Sequence, residues 1–248
     1  IVVKANSPDW WGEIEPVSIP LDEDRYVLAV EIKEVNNATV HNGGRDTVGG
    51  LFVWHHLIYR TQVGLDQDVN TADLDLATGE NVVSWPVHEV GRNPDYFGPK
   101  AARLLKKGSF IVSDSLHTHS SGKDVTSHLE FGYKFAPKGY KPEYKRAFIG
   151  LGNGVDIDIK AMDNNQQLHA YTVLNEPTKI ISFEPHLHAP GNRMCLEAIW
   201  GYNIQTLSCV GYDHNWVRGY SYADDVAPLL PKGTILHIIG YMNNTPSN

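Results

Sequence analysis

No window of the 248-residue chain approaches the roughly 18 consecutive apolar residues of a membrane helix, so no segment is expected to span a bilayer. Basic residues are outnumbered, with 21 Lys and Arg against 29 Asp and Glu. The resulting net charge of −8 argues against nucleic acid as a partner, which needs a basic face. There is no basic stretch leading into an apolar one, and the chain opens on Ile1. Any signal peptide or upstream domain is therefore expected to have been removed or to lie outside this sequence. Several catalytic signatures are missing too. Neither G-x-S-x-G nor H-E-x-x-H occurs, and the glycine-rich run at 150–154 leads into no helix, which excludes a phosphate loop. Repeats and low-complexity tracts are also lacking. What remains, 42% hydrophobic and 20% charged, is an ordinary globular composition, long enough for one large or two medium domains.

Helical periodicity is scarce, and 22 Gly and 14 Pro punctuate the chain. Short strand-like runs take its place. Examples are Arg25–Lys33, Leu51–Tyr59, Ser109–Ser115, Gly154–Lys160, His169–Leu174, Lys179–Phe183, Met194–Trp200, Ile204–Val210 and Thr234–Tyr241. This spacing predicts an all-β fold of two jelly-roll-like antiparallel β-sandwich domains. The segment from Tyr144 to Gly154 is the expected junction, giving domains 1–149 and 150–248. The two cysteines, Cys195 and Cys209, flank a strand–turn–strand pattern centred on Tyr202. Folding that hairpin brings them opposite one another, so a cross-strand disulfide is expected, worth about 3 kcal/mol in the chain-entropy model. The bland alternative is a pair of buried thiols in a reducing compartment. The disulfide favours an extracytoplasmic address, periplasmic or secreted.

Twelve histidines carry the chemical interest. His186-Leu187-His188 is the sharpest pattern, because residues i and i+2 of a strand face the same way and two imidazoles there can share a metal ion. His117-Thr118-His119 has the same spacing. The adjacent pair His55-His56 is weaker: neighbours in a strand face opposite sides, so both reach one ion only at a bulge or strand end. Of the three methionines, Met162 precedes a polar loop, Met194 begins a strand and Met242 ends one, and each has packing as its simpler role. Carboxylate pairs such as Asp156/Asp158 and Asp224/Asp225 suit solvated faces, and Trp10-Trp11 suits an edge or interface plug.

Taken in order, VWHHLIY, HTHSSGK, FEPHLHAPG and LPKGTILHIIGYMNNT resemble the copper type II, ascorbate-dependent monooxygenases, the relatives of peptidylglycine α-hydroxylating monooxygenase and dopamine β-hydroxylase, and bacterial members above all. The resemblance covers nearly the whole chain. It implies two copper ions, one per β-sandwich. His55, His56 and His117 would hold the electron-transfer copper, with His119 as the alternative third ligand and His128 beyond the motif. His186 and His188 would hold the copper that binds O₂. It further implies hydroxylation of a C–H bond of a small substrate, with O₂ and with ascorbate or a cytochrome-like protein donor or domain as reductant.

The chain departs from the family pattern twice. In the family pattern the methionine that completes the second copper site falls beyond Asn248, so either the second domain is cut short and that ligand lies downstream, or another group such as His214 finishes the site, or the site is incomplete. Where the peptide-hydroxylating members carry an arginine that helps hold a peptide carboxylate, two residues before H-x-H, this chain has Glu184. Glu184 is thus a candidate substrate-facing residue that disfavours a peptide C-terminus. The competing expectations are a non-catalytic copper-binding or structural module on the same fold, and a sugar-binding or adhesive sandwich with incidental histidines.

Overall fold

The computed structural model describes residues 1–37, 52–66, 81–92, 94–120, 122–152, 157–213 and 217–248. Every regular element among them is a β-strand, and every pairing is antiparallel. The chain divides into two compact units, Ile1–Gly150 and Leu151–Asn248.

In unit 1 the strands are β1 (Val2–Val3), β2 (Trp10–Ser18), β3 (Arg25–Asn36), β4 (Trp54–Val63), β5 (Val82–Ser84), β6 (His88–Glu89), β7 (Asp95–Tyr96), β8 (Arg103–Leu105), β9 (Ser109–Thr118) and β10 (Val125–Phe135). They form two five-stranded sheets. One runs β1-β10-β3-β7 with β8 also on β3; the other runs β2-β9-β4-β5 with β6 also on β4. Their inner faces close on one core, to which β3 gives Val27 and Val30, β10 gives Val125, β4 gives Trp54, Leu57 and Tyr59, and β9 gives Ile111 and Leu116. This two-sheet packing is a β-sandwich, with apolar residues turned inward from both layers.

Unit 2 contains β11 (Gln166–Val173), β12 (Thr178–Lys179), β13 (Ser182–Phe183), β14 (Gly191–Trp200), β15 (Asn203–Gly211), β16 (Tyr220–Ser221), β17 (Leu229–Leu230) and β18 (Ile235–Met242). A four-stranded sheet in the order β11-β18-β14-β15 is joined by the two-stranded pairs β12-β17 and β13-β16. Its core gathers Leu196 and Ala198 of β14 and Leu236 of β18 with Leu174, Ile180, Phe183 and Leu230. The hairpin β14–β15 places Cys195 directly opposite Cys209, and the two form the expected disulfide.

Two strand expectations need correction, and two long strands, β2 and β10, are not among the runs named above. Within Gly154–Lys160, residues 154–156 lie outside the described residues, and 157–160 form no strand. The run Lys179–Phe183 is split into two short strands that pair with different partners, β17 and β16. The eleven-residue β10 is absent from the sequence expectations, although its residues alternate inward and outward along most of its length. Charges and Gly132 on its wet side obscured a period-two pattern carried by Val125, Leu129, Phe131, Tyr133 and Phe135.

Burial also shapes the response of unit 1 to acid. His88, on β6, is buried, and desolvation followed by the nearby Arg92 cation pulls its pKa from 6.5 to about 4. The folded state therefore refuses a proton that the unfolded chain accepts below pH 6.5. Its contribution is complete above pH 6.5 and is lost as the pH falls from 6.5 to 4, amounting to about 3 kcal/mol. Urea unfolding at pH 7 and pH 4.5 checks this: a His88→Gln variant is expected to lose less stability between the two pH values than the parent does.

Candidate metal centres

In an unbroken strand His55 and His56 would face opposite sides. The ladder between β4 and β9 is not unbroken. Trp54 pairs with Thr118 and His56 pairs with His117, so two steps along β4 match one step along β9. His55 is the extra residue of a β-bulge. The effect is visible in the core, where Trp54 and Leu57 both pack inward although they are three residues apart. The bulge absorbs the odd residue and leaves His55 and His56 together on the side away from that core.

Across the ladder lies His117, the direct partner of His56. The ring centroids are 5.6 Å apart for His55–His56, 4.9 Å for His55–His117 and 5.3 Å for His56–His117. Three imidazoles bound through nitrogens at about 2 Å to one tetrahedral ion have centroids about 5 Å apart. All three histidines are buried. His119 joins the cluster, its ring stacked on His55 at 4.1 Å. Asp9 lies beside it, with Oδ2 3.2 Å from His117 Nε2 and 3.4 Å from His119 Nε2. Within unit 1, Asp9, His117 and His119 are the three described residues whose donor atoms gather within 4.8 Å. No spacing in the sequence marks Asp9 as a partner of these histidines. His128 sits on β10, in the other sheet, exposed and 3.7 Å from Glu130.

Two further groups hold this arrangement, and sequence reasoning missed both. The buried Glu34 carboxylate accepts hydrogen bonds from the backbone N–H groups of Val53 (3.1 Å) and Trp54 (3.2 Å), immediately before the bulge. Ser127 donates to the same carboxylate at 2.9 Å and accepts the Trp54 indole N–H at 2.9 Å. The second group is Trp11, which pairs in register with His117 from the opposite side of β9. Its indole stacks on the His117 ring at 3.8 Å and 10° and meets the His56 ring edge-on at 5.3 Å. Trp11 thus lies on an edge strand as expected, and its ring is a wall of the histidine cluster.

In unit 2, His186 Nε2 and His188 Nε2 lie 3.0 Å apart. Two ligands about 2 Å from a shared ion stand about 3 Å apart. The same-face prediction holds, but not for the reason given: residues 184–188 lie in no strand. They form the irregular link between β13 and β14, where Leu187 is buried and its two histidine neighbours are half-buried. The link ends in a tight turn, with Gly191 N–H donating to His188 O at 2.7 Å and Asn243 N–H donating to Pro190 O at 2.9 Å. A Cβ at Gly191 would stand 2.8 Å from His188 O and 2.9 Å from Leu187 Cβ.

None of the three methionines has the look of a ligand. Met162 is exposed, Met194 packs on the core, and Met242 is buried with its methyl beside Gly240. Glu184 is half-buried directly after β13. His214 lies outside the described residues.

Two substitutions test these supports. Glu34→Ala strips an acceptor from two buried N–H groups and is expected to cost about 1–3 kcal/mol in chemical unfolding. Gly191→Ala forces the turn apart and is expected to cost about 1–3 kcal/mol, seen as a lower Tm. Gly211→Ala, which meets open space, is the control and should leave Tm nearly unchanged. No protein-family model matches the chain, and no curated protein does.

Proposed function

We propose that this chain is a copper-dependent monooxygenase that hydroxylates a C–H bond of a small substrate with O₂ and electrons from ascorbate or a protein donor. The observation that carries the reading is the bulge at His55. It brings the weakest motif of the sequence onto one side of the sheet beside His117, three imidazoles whose ring centroids lie 4.9 to 5.6 Å apart on β4 and β9. His186 and His188 supply a second nitrogen pair in the other unit. Neutral imidazole suits copper among the transition metals, and the resemblance of the four histidine segments to the ascorbate-dependent copper monooxygenases favours it over zinc.

His55, His56 and His117 would hold one copper, and His186 and His188 the other. When bound, copper supplies one-electron redox chemistry and O₂ binding. The chain's own residues orient and exclude. Glu34 fixes the backbone ahead of the His pair, and Trp11 covers the His117 ring with an apolar face. Asp9 lies within reach of His117 and His119, where a carboxylate orients an imidazole and raises its basicity. The turn at Gly191 holds His188 in register with His186. Glu184, two residues before His186, places negative charge where a substrate carboxylate would be repelled, so a neutral or cationic small molecule suits the site better than a peptide C-terminus. The Cys195–Cys209 disulfide fits a periplasmic or extracellular setting.

A second reading, a copper-binding module without turnover, is favoured by one observation. Among the described residues of unit 2, no third His, Cys, Asp or Glu donor of that unit joins His186 and His188 within 4.8 Å. Copper analysis and O₂ uptake separate the two. Copper-loaded protein is expected to hold one ion at His55, His56 and His117 and one at His186 and His188, and to consume O₂ with ascorbate faster when a small C–H substrate is added. His186→Ala should lose one ion and all substrate-dependent uptake. Tryptophan emission quenched by copper should lose most of its metal dependence in Trp11→Phe. Two bound ions without substrate-dependent uptake would establish the non-catalytic module. Fewer than one ion per chain would remove both copper readings and leave an adhesive or sugar-binding sandwich.

A further inference from the structure

The four-stranded sheet of unit 2 carries a second histidine pair that the copper reading does not use. Tyr171 on β11, His237 on β18 and Glu197 on β14 stand in register across three adjacent strands. His169 is two residues before Tyr171 and therefore on the same face. This face is the one opposite the core, which takes Leu196, Ala198 and Leu236. His169 is exposed, whereas His237 is 7% exposed.

The contacts are ordered like a metal ligand set with its outer support. His169 Nδ1 lies 2.9 Å from His237 Nε2. On the other side of the His237 ring, Nδ1 lies 3.0 Å from Glu197 Oε2. The remaining carboxylate oxygen, Glu197 Oε1, accepts from Thr206 Oγ1 at 3.4 Å. Tyr171 stacks flat on the His237 ring at 4.2 Å and 8°, which fixes its plane. The Glu197 carboxylate lies on the Nδ1 side of His237, so Nε2 is the ring nitrogen that faces His169.

The geometry points to a bidentate site for a borderline divalent ion, Cu(II), Ni(II) or Zn(II), held by His169 Nδ1 and His237 Nε2, with Glu197 as the carboxylate behind His237. Ligating histidines characteristically donate their other N–H to a carboxylate, which sets the tautomer and strengthens the ligand. The nitrogen spacing is already that of two ligands on one ion. The remaining positions face solvent through His169 and take water. Binding through His169 Nδ1 leaves that ring's proton on its Nε2 and ties the edge strand β11 to its neighbour β18. The site lies within unit 2 and uses neither His186 nor His188, so it does not rest on the monooxygenase reading.

Histidine-ring ¹⁵N NMR of the full chain during a Zn(II) titration tests it. The His169 and His237 signals are expected to shift together and to saturate at one further ion per chain. His169→Gln, at an exposed position, should leave the fold intact and hold the His237 signal at its metal-free place. Glu197→Gln should weaken binding ten- to hundredfold, as loss of a supporting carboxylate does. His169 and His237 signals that stay still in excess Zn(II), or His237 signals that shift equally in His169→Gln, would overturn the site. The signals of His55, His56, His117, His186 and His188 are read separately, so failure at one place is not mistaken for failure at the other.

Discussion

The ladder between β4 and β9 slips by one residue at His55, and unit 1 is organised around that slip. Without it, Trp54 and Leu57 could not both face the core, and His55 and His56 would lie on opposite sides of the sheet. A bulge leaves one residue out of the pairing pattern and needs compensation nearby. Glu34 provides it from the facing sheet, its carboxylate taking the two backbone N–H groups that lead into the bulge while Ser127 links it to the Trp54 indole. A buried carboxylate would be costly alone; here several donors satisfy it. The same four groups thus shape the core and aim the histidines.

The two units solve the ligand problem differently. Unit 1 builds its cluster from two regular strands and one irregular step, so the rings inherit the rigidity of the sheet. Unit 2 presents His186 and His188 from a link with no ladder of its own. Their spacing depends on Leu187 being buried between them and on a turn that tolerates only a glycine at position 191. The first cluster is therefore tied to global folding and the second to a local turn.

Much of this was legible in the residues. The strands of β3, β4, β9, β14, β15 and β18 follow from short apolar runs between turn residues, and the disulfide follows from counting outward from Tyr202. The H-x-H spacing at 186–188 indicated a shared face although no strand carries it, because burial of Leu187 enforces the same alternation. The bulge was not legible: the sequence shows two adjacent histidines, and only the register against β9 shows which of them is extra. Glu34 and Asp9 were hidden for a similar reason, since their partners lie about 20 and over 100 residues away along the chain. The His169–His237–Glu197 row is likewise assembled from three strands that are distant in sequence.

The sheet of unit 2 has two edges, and they are secured by different chemistry. β15, at one edge, is bonded covalently to β14 through Cys195 and Cys209. β11, at the other, is held by its backbone ladder and by an imidazole pair. Sheet edges are where strands peel away and where foreign strands add. The redox poise of the surroundings therefore bears on one margin of this sheet, and trace metal on the other. A change of compartment would loosen the two margins independently.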